Sequence, residues 1–194
     1  MISIIIPAIR PTVKDCIKAI QENSDGIDYE IITEEDKDRI GVAKMVDKLL
    51  KKVNGEMVMF LGDDTIPQKG FMTEALKAMA MLPNGWGMVG LDDGRAVRHE
   101  ATHFLLDRRM IPLIGGEIFH TGYKHCFCDS ELALRARLLK RYAYAERAKI
   151  AHNHPLLDES IEIDEDYERV YSQAYLEHDK ALFTKRKEII IKGI

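Results

Sequence analysis

Gly55-Glu-Met-Val-Met-Phe-Leu-Gly-Asp-Asp-Thr65 is an apolar run that ends abruptly at a glycine and two carboxylates. Its middle has no polar alternation, as a short strand covered on both faces requires. Gly62-Asp-Asp-Thr65 stops the strand, and Pro67 opens the turn into a helix expected over residues 69–81. The unit therefore reads strand, acidic turn, helix.

Two more such units precede it. Ile2-Ser-Ile-Ile-Ile-Pro7 reads as a buried strand over 3–6, followed by a helix over 13–22 with Val13, Ile17 and Ile20 on one side. Tyr29-Glu-Ile-Ile-Thr33 reads as a second strand, followed by acidic residues 34–38 and a helix over about 42–52 that turns Val42, Met45, Val46, Leu49 and Leu50 inward. Three β-α units in succession predict a parallel sheet with right-handed crossovers. Downstream, Trp86-Gly-Met-Val-Gly-Leu91 is expected to be a fourth strand. A less regular stretch follows, containing His99 to Leu106 and Met110 to Ile114. A helix is expected over 129–142 and a strand over 144–150 that ends at His152-Asn-His-Pro155. The tail is acidic over 158–168, then helical through Tyr171, Tyr175 and Phe183.

Composition narrows the function. At 194 residues, 46% hydrophobic and 31% charged, the chain is ordinary for one folded domain. Lys plus Arg number 28 against 32 Asp plus Glu, a net charge of −4, so no global basic field exists to hold nucleic acid or an anionic membrane. Any phosphate must be met locally. Cys16, Cys126 and Cys128 make an odd count with an awkward Cys-x-Cys spacing, which fits a reducing compartment and hence the cytoplasm. The opening apolar run is too short for a membrane span and lacks the basic flank of a signal peptide.

In a parallel sheet, ligands sit beyond the carboxyl ends of the strands, so the residues after each strand belong together. They are Pro7, Ala8, Ile9 and Arg10; residues 34–39; Asp63 and Asp64; and His152 with His154. Adjacent carboxylates at a strand end repel unless a cation or donors compensate, so Asp63 and Asp64 suit a divalent metal bridging a diphosphate or, equally in kind, a turn and helix cap. His152 and His154 share one face of an extended chain, as metal or phosphate ligands or as structural histidines. Asp129 and Glu131 open a helix, where carboxylates cap amides whatever else they do. The cluster of His120, His125, Cys126 and Cys128 lacks a second matched pair for a zinc finger and reads as buried thiols.

Four of these segments, in this order, resemble the family 2 glycosyltransferases over roughly residues 1–155. The resemblance implies an α/β fold: a single-domain α/β/α sandwich with a mostly parallel sheet, of the A-type glycosyltransferase kind. It divides residues 1–155 into a nucleotide-binding half, about 1–92, and an acceptor half, about 93–155. Residues 156–194 would be a helical tail packed on or extending the same domain. The Ile2–Pro7 strand and the loop Pro7, Ala8, Ile9, Arg10 match the family's nucleotide-contacting opening. Glu34 and Glu35, with Asp36, stand near its base-and-ribose acids, and Arg39 leads into the next helix. Gly55–Thr65 is similar to its Asp-x-Asp strand, with Gly62 in place of the first acid. Asp64 is thus implied as metal ligand and Asp63 as ribose or metal ligand. Gly115-Gly-Glu-Ile-Phe119 is similar to the acceptor-side glycine turn, and Cys128-Asp-Ser-Glu-Leu132 to the helix start that carries the base. Asp129 matches that base, and Cys128 replaces the acid before it. His152 matches a metal-binding histidine. Gly115, Gly116, Glu131 and His154 are expected near the donor or acceptor sugar.

The implied activity is inverting transfer from a nucleotide-diphosphate-sugar, a UDP-sugar first, to an acceptor hydroxyl, with Mn2+ or Mg2+ as cofactor. Two other readings are weighed against it: a non-catalytic nucleotide-binding or interaction domain of the same fold, and a nucleotidyltransferase. The second should carry a Gly-rich basic first loop, which Ala8-Ile-Arg-Pro11 is not. The expected partners are a nucleotide-sugar and a hydroxyl acceptor, with no nucleic acid and no transmembrane segment. The tail is free to cover the cleft or to pair with another copy in a homo-oligomer.

Overall fold

The computed structural model describes residues 1–95, 100–155 and 157–193. The irregular stretch expected after the fourth strand therefore includes four residues, 96–99, outside the described ones, as do positions 156 and 194 of the tail. In chain order the elements are β1 (Ile2–Ala8), α1 (Val13–Asn23), β2 (Tyr29–Glu35), α2 (Val42–Leu50), β3 (Met57–Phe60), β4 (Thr65–Pro67), α3 (Phe71–Ala80), β5 (Met88–Asp92), β6 (Phe104–Asp107), the one-turn α4 (Met110–Leu113), α5 (Cys128–Leu138), β7 (Tyr142–His152), α6 (Glu165–Val170) and α7 (Gln173–Lys192).

The unalternated strands are covered twice because successive side chains point to opposite faces. From β1, Ile2, Ile4 and Ile6 join one core with Met59, Leu61, Phe71 and Leu105, while Ile5 joins the other with Val58, Phe60, Phe104 and Leu106. The first core is closed by α1 and α3 through Cys16, Ile20, Met72 and Met79. The second is closed by α2 and α5 through Val46, Leu49, Leu132 and Ala136. Met59, Met72 and Met79 fill the core, whereas Met1 and Met81 are exposed.

Strand order is β2-β1-β3-β6-β5-β7-β4. The expected α/β layering holds, but "mostly parallel" needs refinement: β1 pairs parallel with β2 and β3, and β5 with β7, whereas β6 runs antiparallel between β3 and β5, and β4 antiparallel to β7. β6 lies directly alongside β5 and runs antiparallel to it, with Met88 opposite Leu106, instead of adding a further parallel strand. The consequence is functional, because an antiparallel strand begins at the edge where its parallel neighbours end. His103, just before β6, thus arrives at the same edge as Asp63, Asp64, Asp93 and His152.

The tail packs back on this frame. Glu131 of α5 receives Arg186 of α7 through two hydrogen bonds, 2.7 and 2.8 Å, together with Arg135 at 3.0 Å and the Tyr123 hydroxyl at 2.8 Å. Burial works against the ionised carboxylate, but these donors outweigh it and hold Glu131 below the usual carboxylate range. A carboxylate with a depressed folded pKa stabilises the fold above its unfolded value, about 4.3, and that contribution is lost as pH falls through the folded value. Glu131→Gln is expected to cost about 2–3 kcal/mol near neutral pH, with the gap to wild type closing in acid. Urea unfolding at pH 7 and at pH 3 measures it. Among the described residues no helix is long and apolar enough to cross a membrane.

Candidate active site

β3 and the short β4 place Asp64. β4 pairs Thr65 with His152 of β7, and the Asn153 amide donates to the Asp64 carbonyl at 2.9 Å, so the two neighbouring side chains are brought face to face. Asp64 Oδ1 lies 3.4 Å from His152 Nε2. The other ring nitrogen, His152 Nδ1, lies 3.4 Å from Asp93 Oδ2, and His103 Nδ1 lies 3.4 Å from the same oxygen. His103 stacks on Phe60 and meets the His152 ring edge-on, with centroids 4.7 Å apart. Asp64, Asp93 and His103 are 8%, 6% and 2% exposed.

The electrostatics follow from that packing. Burial opposes charge on Asp64 and Asp93, but the facing histidines overcome it and hold both carboxyls well below their ordinary range. Burial likewise opposes an imidazolium at His152, yet Asp64 and Asp93 raise it to about 9. His103, more deeply buried, is pushed down instead. A deep cluster of two carboxylates and two imidazoles is the kind of site that holds a cation.

The donor set fits a divalent metal on two observations. Asp64, His103 and His152 each offer a ligand atom, and these atoms lie within 4.8 Å of one another. Asp93 Oδ2 and both Nδ1 atoms are buried without a hydrogen bond of ordinary geometry, leaving the cluster polar and incompletely compensated.

A cavity opens beside this cluster, lined by Pro7, Ala8, Ile9, Arg10, Asp63 and Asp64 from the strand ends. Asp63 does not point at the imidazoles. Its Oδ2 accepts the Ile9 and Arg10 amides at 2.6 and 2.7 Å, fixing the loop after β1. Burial raises the Asp63 pKa, those two amides oppose the rise, and the charge of Asp64 adds to it. Arg10 reaches the tail through Asp164 at 2.8 Å and lies 3.9 Å above the Tyr167 ring. The Tyr167 hydroxyl in turn donates to Asp64 Oδ2 at 2.9 Å. α6 is therefore one wall of the cavity, which the sequence did not disclose.

Other expected residues divide. His154 lines the cavity, with Nε2 3.0 Å from the Tyr171 hydroxyl, and burial lowers it to about 4. Glu34 and Glu35 lie off the cavity on an adjoining acidic surface, where Glu34 pairs with Lys48 and Lys52. Asp36 lines both, its two oxygens taking the Ile40 and Gly41 amides at 2.8 and 2.9 Å. Arg39 is half exposed and paired with Asp166. Two expectations need correcting: Glu131 is buried and occupied by Arg186, Arg135 and Tyr123, and Gly115 and Gly116 form an exposed turn after α4 away from the cavity lining.

Asp129 is half-buried at the start of α5. Its Oδ1 accepts the Ser130 amide at 2.8 Å, and Thr102 Oγ1 is 3.5 Å from its Oδ2. Thr102 and Arg95 line the cavity in front of it. Burial raises the Asp129 carboxyl, the Ser130 amide opposes this, and the charge of Glu100 adds to it. Cys128 is a buried thiol pushed well up by burial, its Sγ 3.2 Å from the His125 carbonyl, so it supplies no acid where the resemblance has one.

Residues that the sequence did not single out are His103 and Asp93 in the cluster and Arg95, Tyr167 and Tyr171 in the cavity lining, where His125, read above as part of a thiol cluster, also stands. For Asp93 a signal existed: Leu91-Asp92-Asp93 repeats the strand-then-carboxylates pattern of Leu61-Gly62-Asp63-Asp64.

No protein-family model matches the chain, and no curated protein matches it. Solved structures do. The mannosyltransferase PcManGT from Pyrobaculum calidifontis, solved with GDP-Man and Mn2+, superposes with a TM-score of 0.61 at 15% identity, over 78% of this chain and 56% of that one. S. aureus TarS superposes with a TM-score of 0.62 at 13% identity, over 91% of this chain and 43% of that one. Glucosyl-3-phosphoglycerate synthase from Mycobacterium tuberculosis, with Mn2+, UDP-Glc and phosphoglyceric acid, gives 0.54 at 15% identity, over 82% and 74%. This chain has the A-type glycosyltransferase fold. It spans about half the length of the first two of these proteins.

Proposed function

We propose that the protein is a metal-dependent inverting glycosyltransferase of the family 2 kind, using a nucleotide-diphosphate-sugar, a UDP-sugar first, and a hydroxyl acceptor. The observation that carries this is Asp64 facing His152 at 3.4 Å beside a cavity whose other lining is the loop after β1. The relatives in fold solved with Mn2+ and GDP-Man or UDP-Glc support the choice of ligand class.

Asp64 and His152 would hold the divalent ion, which supplies charge stabilisation for a departing nucleotide diphosphate. The chain's own residues do the rest. Asp63 fixes the Ile9 and Arg10 amides as a cradle for the nucleotide, and Arg10 brings a cation to the phosphates. Asp129 takes the proton of the acceptor hydroxyl, whose oxygen attacks the anomeric carbon from the face opposite the leaving group. Burial that raises a carboxylate toward neutral pH strengthens it as a base, while Arg95 favours its ionised form. Residues 1–155 would form the catalytic unit and 156–194 a wall of the donor cavity.

The non-catalytic reading is favoured by one feature: Asp129 is not itself in the cavity lining, where Thr102 and Arg95 stand. Proton NMR of a reaction with Mn2+, a panel of UDP- and GDP-sugars and simple sugar acceptors tests the proposal. The expected result is consumption of one donor and a product of opposite anomeric configuration. A product that keeps the donor's configuration, or no product with any acceptor, rejects inverting transfer.

A further inference from the structure

We propose that His103 is a third metal ligand beside Asp64 and His152, and that Asp93 positions both imidazoles. The site would then be a two-histidine, one-carboxylate centre that binds a borderline transition-metal ion in preference to Mg2+, and binds it before any nucleotide. This rests on reading the cluster as a metal site, and not on sugar transfer.

Each imidazole has one nitrogen toward Asp93 and the other toward Asp64. For His152, Nδ1 lies 3.4 Å from Asp93 and Nε2 3.4 Å from Asp64. For His103, Nδ1 faces Asp93 at 3.4 Å, and Nε2 is on the side of Gly62. A side-chain carbon built at Gly62 would lie 2.7 Å from Asp64 Oδ1 and 3.2 Å from His103 Nε2, so these two atoms border the same small space. Asp93 is itself anchored, its Oδ1 taking the Arg95 amide at 3.1 Å, which leaves Oδ2 for the two rings. With Asp93 Oδ2 facing both Nδ1 positions, an ion held at the Nε2 atoms beside Asp64 would leave the remaining ring proton of each histidine toward Asp93. Metal-bound histidines are commonly oriented by a carboxylate in this way.

Gly62 also gains an explanation. The resemblance has an acid at this position, yet the space a side chain would need is occupied by Asp64 Oδ1 and His103 Nε2. His103, just before the antiparallel β6, would thus supply from the other side of the sheet edge a ligand where Gly62 has no side chain to offer one.

Donor chemistry then sets the metal. Mg2+ prefers oxygen ligands and relies on substrate phosphates and water, whereas imidazole nitrogen suits transition metals such as Co2+ and Zn2+, with Mn2+ tolerating both kinds of donor. Three protein ligands hold an ion without help from a diphosphate.

The test uses the nucleotide-free protein and Co2+ and Mn2+ as probes. Titration followed by Co2+ visible absorption should show one equivalent bound and no displacement by millimolar Mg2+. His103→Gln should weaken it at least tenfold, and Asp93→Asn tenfold to a hundredfold. Unfolding in chelator checks that both variants fold as the wild type does. Electron spin echo modulation of Mn2+ bound to the unmutated protein counts the coupled imidazoles independently of any variant. Two are expected; one, or unchanged affinity in a folded His103→Gln, overturns the inference. Two imidazoles with no nucleotide-sugar binding would leave it standing and reject the proposed function. Donor binding that needs metal, with one imidazole, would do the reverse.

Discussion

Asp129→Asn is expected to abolish sugar transfer, lowering turnover by roughly 10²–10⁴-fold, the range a positioned general base contributes. The substitution keeps size and shape, and the Ser130 amide retains an oxygen acceptor in place of Asp129 Oδ1. α5 should therefore keep its start. What is lost is the capacity to take a proton, while the cavity residues proposed to meet the nucleotide are untouched. Donor affinity should stay within about twofold of wild type. Kinetics under saturating donor, paired with donor binding, checks both halves, and turnover retained in Asp129→Asn removes this residue from the mechanism.

Asp64→Ala is expected to act on the other half of the reaction. The carboxylate faces His152 at 3.4 Å and accepts the Tyr167 hydroxyl at 2.9 Å, so its loss would remove a proposed metal ligand and loosen the α6 wall together. Loss of an outer-shell partner of a metal site costs roughly 10–100-fold, and loss of a ligand should reach at least the upper end, about 100-fold in metal-dependent donor affinity. Asp63→Asn should differ in kind. Its oxygen can still accept an amide, so the loop after β1 is weakened and metal binding is spared. Calorimetry of donor binding in Mn2+ separates the two.

The parts of this fold legible in the sequence are those written by local periodicity. The double-sided strands β1 and β3, the helices α1 to α3 and the carboxylates at the end of β3 all follow from patterns within a dozen residues. Asp64 and His152 could be singled out as candidates because the sequence places both at strand ends, and the structure brings their side chains together. β6 was not, since its four residues, Phe104 to Asp107, three apolar and one acid, follow an irregular stretch of sequence that gives no cue to direction. Missing its antiparallel course meant missing His103, because the rule that ligands gather at carboxyl ends finds only residues that follow a parallel strand. Glu131 misled for the opposite reason: a helix-opening acid near a candidate base resembles a site residue, and its true partner, Arg186, is remote in sequence. The α6 wall escaped because a charged tail has no periodicity that says where it docks.

This sheet edge is proposed to bind a nucleotide-diphosphate-sugar through a divalent metal. The most direct test of this is calorimetric titration of UDP- and GDP-sugars into the unmutated protein, once with Mn2+ and once with chelator. Binding of one donor at a single site with Mn2+, and none with chelator, is the predicted result. Equal binding in both conditions, or binding of no donor in either, contradicts it.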